Sequence, residues 1–129
     1  MSTPAGFATV NPYLMAVDAV ALIGFLVDGL GGEELGRSIH GGRIANCQLR
    51  LGNATVMVGQ TRPGDAPTQG HFYLYVDDAD QAVDRAVAAG GELIMPVADQ
   101  PYGDRQGGVR DTVGYSWWIS KRLTDEPYF

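Results

Sequence analysis

The chain has 129 residues, 45% of them apolar and 19% charged, with a net charge of −6. That size and balance suit one globular domain with a buried core and exclude a disordered chain. Fifteen acids against nine bases leave no basic surface for nucleic acid or an anionic membrane, and a single cysteine, Cys47, excludes an internal disulfide.

No signal-peptide pattern opens the sequence, and its longest apolar run, Ala19 to Val27, is too short to span a bilayer. The expectation is a reduced, cytoplasmic protein. Glycine is in excess, 18 of 129 residues, with no collagen period, so it must punctuate turns and caps.

Met1 to Ala8 reads as an arm. Pro12 to Asp18 reads as a strand running into a helix that Asp18 caps and Gly31 ends. Three extended runs follow, about Glu34 to His40, Arg43 to Leu51 and Ala54 to Gln60, parted by Gly41-Gly42 and Gly52-Asn53. Thr61 to Gln69 carries Pro63, Gly64 and Pro67 and reads as a linker. His71 to Val76 is a short aromatic and β-branched run, hence a strand. Asp78 with Gln81 looks like a helix start, Ala82, Val83, Ala86 and Val87 keep helical spacing, and Gly90 closes the helix. Extended runs follow at about Glu92 to Val97, Gln106 to Asp111 and Tyr115 to Lys121, and residues 122–129 form a C-terminal arm.

Val17 to Val76 and Gly31 to Gly90 are both 59 positions apart. The chain therefore repeats one β-α-β-β-β unit, at about 9–60 and 70–121. Neither copy can bury its helix and sheet face alone, so the two share one α+β domain. The expected architecture is a curved, open, eight-stranded barrel-like sheet around a cavity, with helices on the convex face. The first helix has no charge between Ala19 and Val27, so it is buried on several sides or exposes an apolar patch to a partner.

Two stretches carry a family resemblance. One is His71-Phe72-Tyr73-Leu74-Tyr75-Val76-Asp77-Asp78. The other runs from Tyr102-Gly103-Asp104-Arg105 through Asp111-Thr112-Val113-Gly114-Tyr115-Ser116-Trp117-Trp118. With the paired modules, they resemble the vicinal oxygen chelate superfamily of glyoxalases, bleomycin resistance proteins and dioxygenases, in its bacterial glyoxalase/bleomycin-resistance-like branch. Thr112 stands where that branch's tail pattern has Pro. The resemblance implies a cavity protein that commonly dimerises. In metal-dependent members it also implies a divalent ion held by a His on the first strand and a Glu on the last strand of each module. Those positions fall on Pro12, Met57, His71 and Trp118, which leaves one ligand of four, so no metal site and no cofactor is expected.

Strand alternation with the family register gives a cavity lining of Leu14, Asn46, Gln48, Arg50, Met57, His71, Tyr73, Tyr75 and Trp118. Ala45, Cys47, Leu49 and Leu51 fall under the helix, so Cys47 is an inert thiol. Arg105 and Asp111 read as loop-fixing residues, and His40 as an exposed loop histidine. Aromatic walls with a few polar groups suit a small organic ligand. The first reading is a metal-independent binder that works as a homodimer. The second is a lyase, isomerase or dioxygenase-type enzyme with His71 as acid/base, or with a divalent metal. The third is a structural or regulatory dimer with an unused cavity.

Overall fold

The computed structural model describes residues 3–62, 64–66 and 69–129. Pro63, Pro67 and Thr68 of the expected linker lie outside the described residues. The chain divides into two compact units, Met1–Thr68 and Gln69–Phe129. The first runs β1 (Tyr13–Ala16), α1 (Ala19–Gly24), β2 (Glu33–His40), β3 (Arg43–Leu51) and β4 (Ala54–Gln60). The second runs β5 (His71–Tyr75), α2 (Ala79–Ala88), β6 (Glu92–Asp99), β7 (Asp104–Arg110) and β8 (Ser116–Arg122). Their sheets are ordered β1-β4-β3-β2 and β5-β8-β7-β6. In each, the first strand pairs in parallel with the last and the other pairs are antiparallel. The fold is α+β, with β-α-β-β-β twice over, as the sequence indicates.

Each sheet buries one face. In the first unit Leu14, Ala16, Cys47, Leu49, Val56 and Val58 are buried, together with Leu22, Phe25 and Leu26 of the helix. The uncharged helix is therefore spent inside the protein, and Val20 is its one large apolar residue more than half exposed. In the second unit Val83 and Ala86 of α2 are buried with Val109, Trp117 and Ile119. Phe72 packs on Trp117 with centroids 4.8 Å apart.

Asp111 organises the last loop. Its Oδ1 accepts from the backbone N–H of Val113, Gly114 and Tyr115 at 2.9–3.0 Å, and its Oδ2 accepts from Trp117 Nε1 at 2.9 Å. Arg105 donates to Asp80 at 2.7 Å and to Asp99 at 2.9 Å, tying the start of α2 to β6 and β7. Both act as fixing residues, and the Arg105 hydrogen bond holds Asp80 below the usual carboxylate range.

The two helices differ by one residue. Asp18 Oδ1 accepts from Ala21 N at 3.0 Å, and Asp78 Oδ1 accepts from Gln81 N at 3.1 Å, so these are the equivalent N-caps, 60 positions apart. The terminating glycines Gly31 and Gly90, both at positive φ, are 59 apart. The first helix absorbs its extra residue in one π-helical turn, Phe25–Gly29, where Leu30 N donates to Phe25 O. Helix α2 closes regularly, with Gly91 N on Ala86 O and Gly90 N on Val87 O. At the end of the first helix both bonds reach one residue further back, Gly32 N to Leu26 O and Gly31 N to Val27 O.

Candidate functional site

The sheet face away from the buried core is the open one in each unit, and each is built by strand alternation. On the first, β1 contributes Tyr13 and Met15, β3 contributes Asn46, Gln48 and Arg50, and β4 contributes Thr55, Met57 and Gly59. Asn46 and Gln48 line a groove of about 250 Å³ with Leu35, Gly36, Arg37 and Ser38. Met57 pairs with both Gln48 and Tyr13, which brings those three side chains together.

Leu14 does not join them. It pairs with Val58, is 3% exposed, and belongs to the core. A 59-residue offset carried into the first strand matches it to Tyr73. The true offset through the first strand is 60, which matches Tyr13 to Tyr73 and moves Leu14 to the other face. Arg50 is on the open face but already committed. Its Nη1 donates to Gly6 O at 3.0 Å, beside Thr55 Oγ1, which donates to the same carbonyl at 2.6 Å. It pins the N-terminal arm.

The second open face carries His71, Tyr73 and Tyr75 from β5, then Ser116, Trp118, Ser120 and Arg122 from β8, then Asp104, Gln106, Gly108 and Arg110 from β7. Trp118 Nε1 donates to His71 Nδ1 at 3.2 Å, and the two rings are 4° from parallel with centroids 6.1 Å apart. An indole N–H and an imidazole lone pair both lie in their ring planes. Parallel rings joined by that bond lie side by side, and together make one flat surface. Position 108 must be glycine for this. A Cβ there would sit 2.5 Å from Trp118 Cζ3 and 2.9 Å from Cε3, so the indole lies across bare backbone. Tyr73 and Tyr75, each 55% exposed, stack with centroids 6.0 Å apart.

Below the rings runs a polar layer that strand alternation predicts but that the sequence reading missed. Tyr102 donates to Gln106 Oε1, and Gln106 Nε2 donates to Ser120 Oγ at 2.7 Å. Burial first, then Tyr73 and Asp104, push the Tyr102 phenol above its ordinary range. Asp104 is fully buried and takes Arg122 Nη1 at 2.9 Å and the Tyr128 hydroxyl at 2.7 Å. Tyr128 also meets the Tyr75 hydroxyl at 2.9 Å, and its ring lies under the Arg122 guanidinium at 3.8 Å. Hydrogen bonds with Tyr75 and then Asp104 raise the Tyr128 phenol well above its usual value. Tyr128 comes from the C-terminal arm, where no periodicity marks it. His40 is exposed at the β2–β3 hairpin of the first unit.

Residues 14–119 match the family model of the Glyoxalase/Bleomycin resistance protein/Dioxygenase superfamily. The chain belongs to this superfamily. Among superfamily structures, the crystal structure of TioX from Micromonospora sp. ML1 is 30% identical, with a TM-score of 0.76 over 90% of this chain and 99% of that one. An uncharacterized protein of Mycobacterium bovis is 32% identical over 89% of this chain and 84% of its own length. A mutant of FosX, a genomically encoded fosfomycin resistance protein of Listeria monocytogenes solved with Mn(II), shares the fold. It is 16% identical, with a TM-score of 0.69 over 88% of each chain.

The superfamily's metal positions do not fit an ion in this member. With the 60-residue offset, the first-strand partner of His71 is Asn11, one residue before the expected Pro12. Its amide is spent on the backbone N–H and carbonyl of Ala8, at 2.9 and 2.7 Å. The last-strand positions hold Met57 and Trp118, whose thioether and indole are poor ligands for hard divalent ions. His71 Nδ1 accepts from Trp118. Among the described residues no three His, Cys, Asp or Glu side chains cluster to hold an ion. No helix among them is long and apolar enough to cross a membrane.

Proposed function

We propose that the protein binds a small planar organic molecule on the aromatic open face of its second module, without a resident metal. The observation that carries this reading is the His71–Trp118 surface, two rings hydrogen-bonded edge to edge and laid over Gly108. A half-buried indole joined to an exposed imidazole, beside a packed polar layer, offers a binding surface, since stacking and further burial of such rings are favourable. The superfamily includes bleomycin resistance proteins, which supports ligand capture. The protein works as a homodimer in the reducing cytoplasm, where Cys47 stays a thiol.

A thermal-shift screen of quinoline- and naphthalene-type compounds tests the reading, because a ligand specific to the folded state raises its melting temperature. Hits should quench Trp118 fluorescence and leave the buried Trp117 unchanged. Gly108→Ala lifts the indole off the strand and should weaken those hits at least tenfold, about 1.4 kcal/mol. A screen without a single planar hit rejects the reading, and so does undiminished binding by Gly108→Ala.

A further inference from the structure

The second module's open face carries two chains of hydrogen bonds whose direction is fixed from below. The first starts at Asp104, fully buried and ion-paired to Arg122 at 2.9 Å. An ionised carboxylate only accepts, so the single hydroxyl proton of Tyr128 goes to Asp104 Oδ2, at 2.7 Å. Tyr128 then has no proton left for its 2.9 Å contact with Tyr75, and Tyr75 must be the donor there. The second chain starts at Gln106, whose Nε2 is spent on Ser120, leaving Oε1 to receive the Tyr102 proton. Tyr102, itself 43% exposed, therefore donates inward as well.

Tyr75 and Tyr102 therefore turn their protons toward the protein and their oxygen lone pairs toward solvent. Of the two cations in the groove beside Tyr75, Arg122 is spent on Asp104, Tyr102 O and Glu126 O, and Lys121 shares the groove with the carboxylate of Asp77. Two phenolic acceptors beside stacked ring faces are a receptor for N–H donors, and for a cation above all. The chain's net charge of −6 points the same way.

We infer that this face selects a planar aromatic ligand carrying a protonated amine, and that Tyr128 is the positioning residue that sets this selectivity by holding Tyr75 as an acceptor. The inference rests on the aromatic binding reading above and adds the ligand's charge and hydrogen-bonding sense.

Calorimetric titration with a matched pair of probes, 2-naphthylmethylammonium and 2-naphthoate, separates the two claims. The native protein should bind the ammonium at least tenfold more tightly than the carboxylate. Tyr128→Phe keeps a ring under Arg122 but leaves nothing to receive the Tyr75 proton, so Tyr75 becomes free to donate outward. The preference should shrink severalfold, with the ammonium weaker and the carboxylate tighter. A purely structural loss would weaken both probes alike and leave the ratio unchanged. Tyr75→Phe is the second variant, independent of how Tyr128→Phe folds. It should weaken the ammonium and spare the carboxylate. Equal native affinities, or an unchanged ratio in both variants, overturn the inference while the aromatic reading stands. Failure of both probes on the native protein overturns the two together.

Discussion

Cys47 shows how a residue that looks chemically interesting is kept inert. Its place on β3 puts it in the core, fully buried. Burial, then the Glu34 charge and hydrogen bond, push the thiol up to about 11. An unfolded cysteine ionises near 8.5. A raised value favours the neutral thiol in the folded state, so this contribution to stability is complete below about pH 8.5. It is lost as pH rises toward 11, because the unfolded chain gives up its proton first. At about 1.4 kcal/mol per unit the loss approaches ~3 kcal/mol. Urea unfolding at pH 8 and pH 11 should show it, and Cys47→Ala should flatten that part of the slope. Equal slopes in the two proteins would mean the thiol is not held neutral by the fold. The same residue-scale reasoning put His71, Tyr73, Tyr75 and Trp118 on one face, because alternation on a strand assigns a face once its register is known. It missed Tyr128, which reaches Asp104 from an arm without strand or helix period, and only three-dimensional contact reveals such a partner.

At the scale of elements, the repeat was legible from punctuation alone, and its one error has a physical source. Val17/Val76 and Gly31/Gly90 keep a 59-residue offset, but Asp18/Asp78 and Tyr13/Tyr73 keep 60. Two adjacent aspartates, Asp77 and Asp78, hid the shift, and the π-helical turn at Phe25–Gly29 absorbs it. Strand order and all three later strands of each module survived that error, since they follow the glycine that ends the helix. Leu14 did not, because one residue of slip exchanges the faces of a strand. Two glycines, one inside the first helix and one just past the second, then behave oppositely. Gly24 has ordinary helical angles and open space where a Cβ would go, so Gly24→Ala should stabilise the fold by about 0.5–1 kcal/mol. Gly90 sits at φ +106°, where a side chain is strained, so Gly90→Ala should cost about 1–2 kcal/mol. Chemical denaturation of both variants checks the pair, and the same sign for both would contradict placing Gly24 within the first helix and Gly90 at the left-handed end of the second.

For the whole molecule, the proposed homodimer needs a different basis from the one the sequence offered. The uncharged stretch Ala19 to Val27 suggested an apolar patch, but Leu22, Ile23, Phe25 and Leu26 are buried within the chain. The apolar surface lies elsewhere. Strand β2 is an edge of its sheet, eight residues long, with Leu35 53% and Ile39 58% exposed. An edge strand offers unpaired backbone donors and acceptors, and proteins that stay monomeric blunt such edges with charge or cover them. Here Glu33, Glu34 and Arg37 give partial protection, and Arg37 is drawn onto Glu34 at 2.6 Å. Light scattering at micromolar concentration should therefore report twice the chain's 13.8 kDa. Ile39→Lys places a charge on that edge and should move the mass toward the monomer without lowering the melting temperature at low concentration. A native protein that scatters as a monomer sinks the dimer. A dimer untouched by Ile39→Lys keeps the assembly but removes β2 from it.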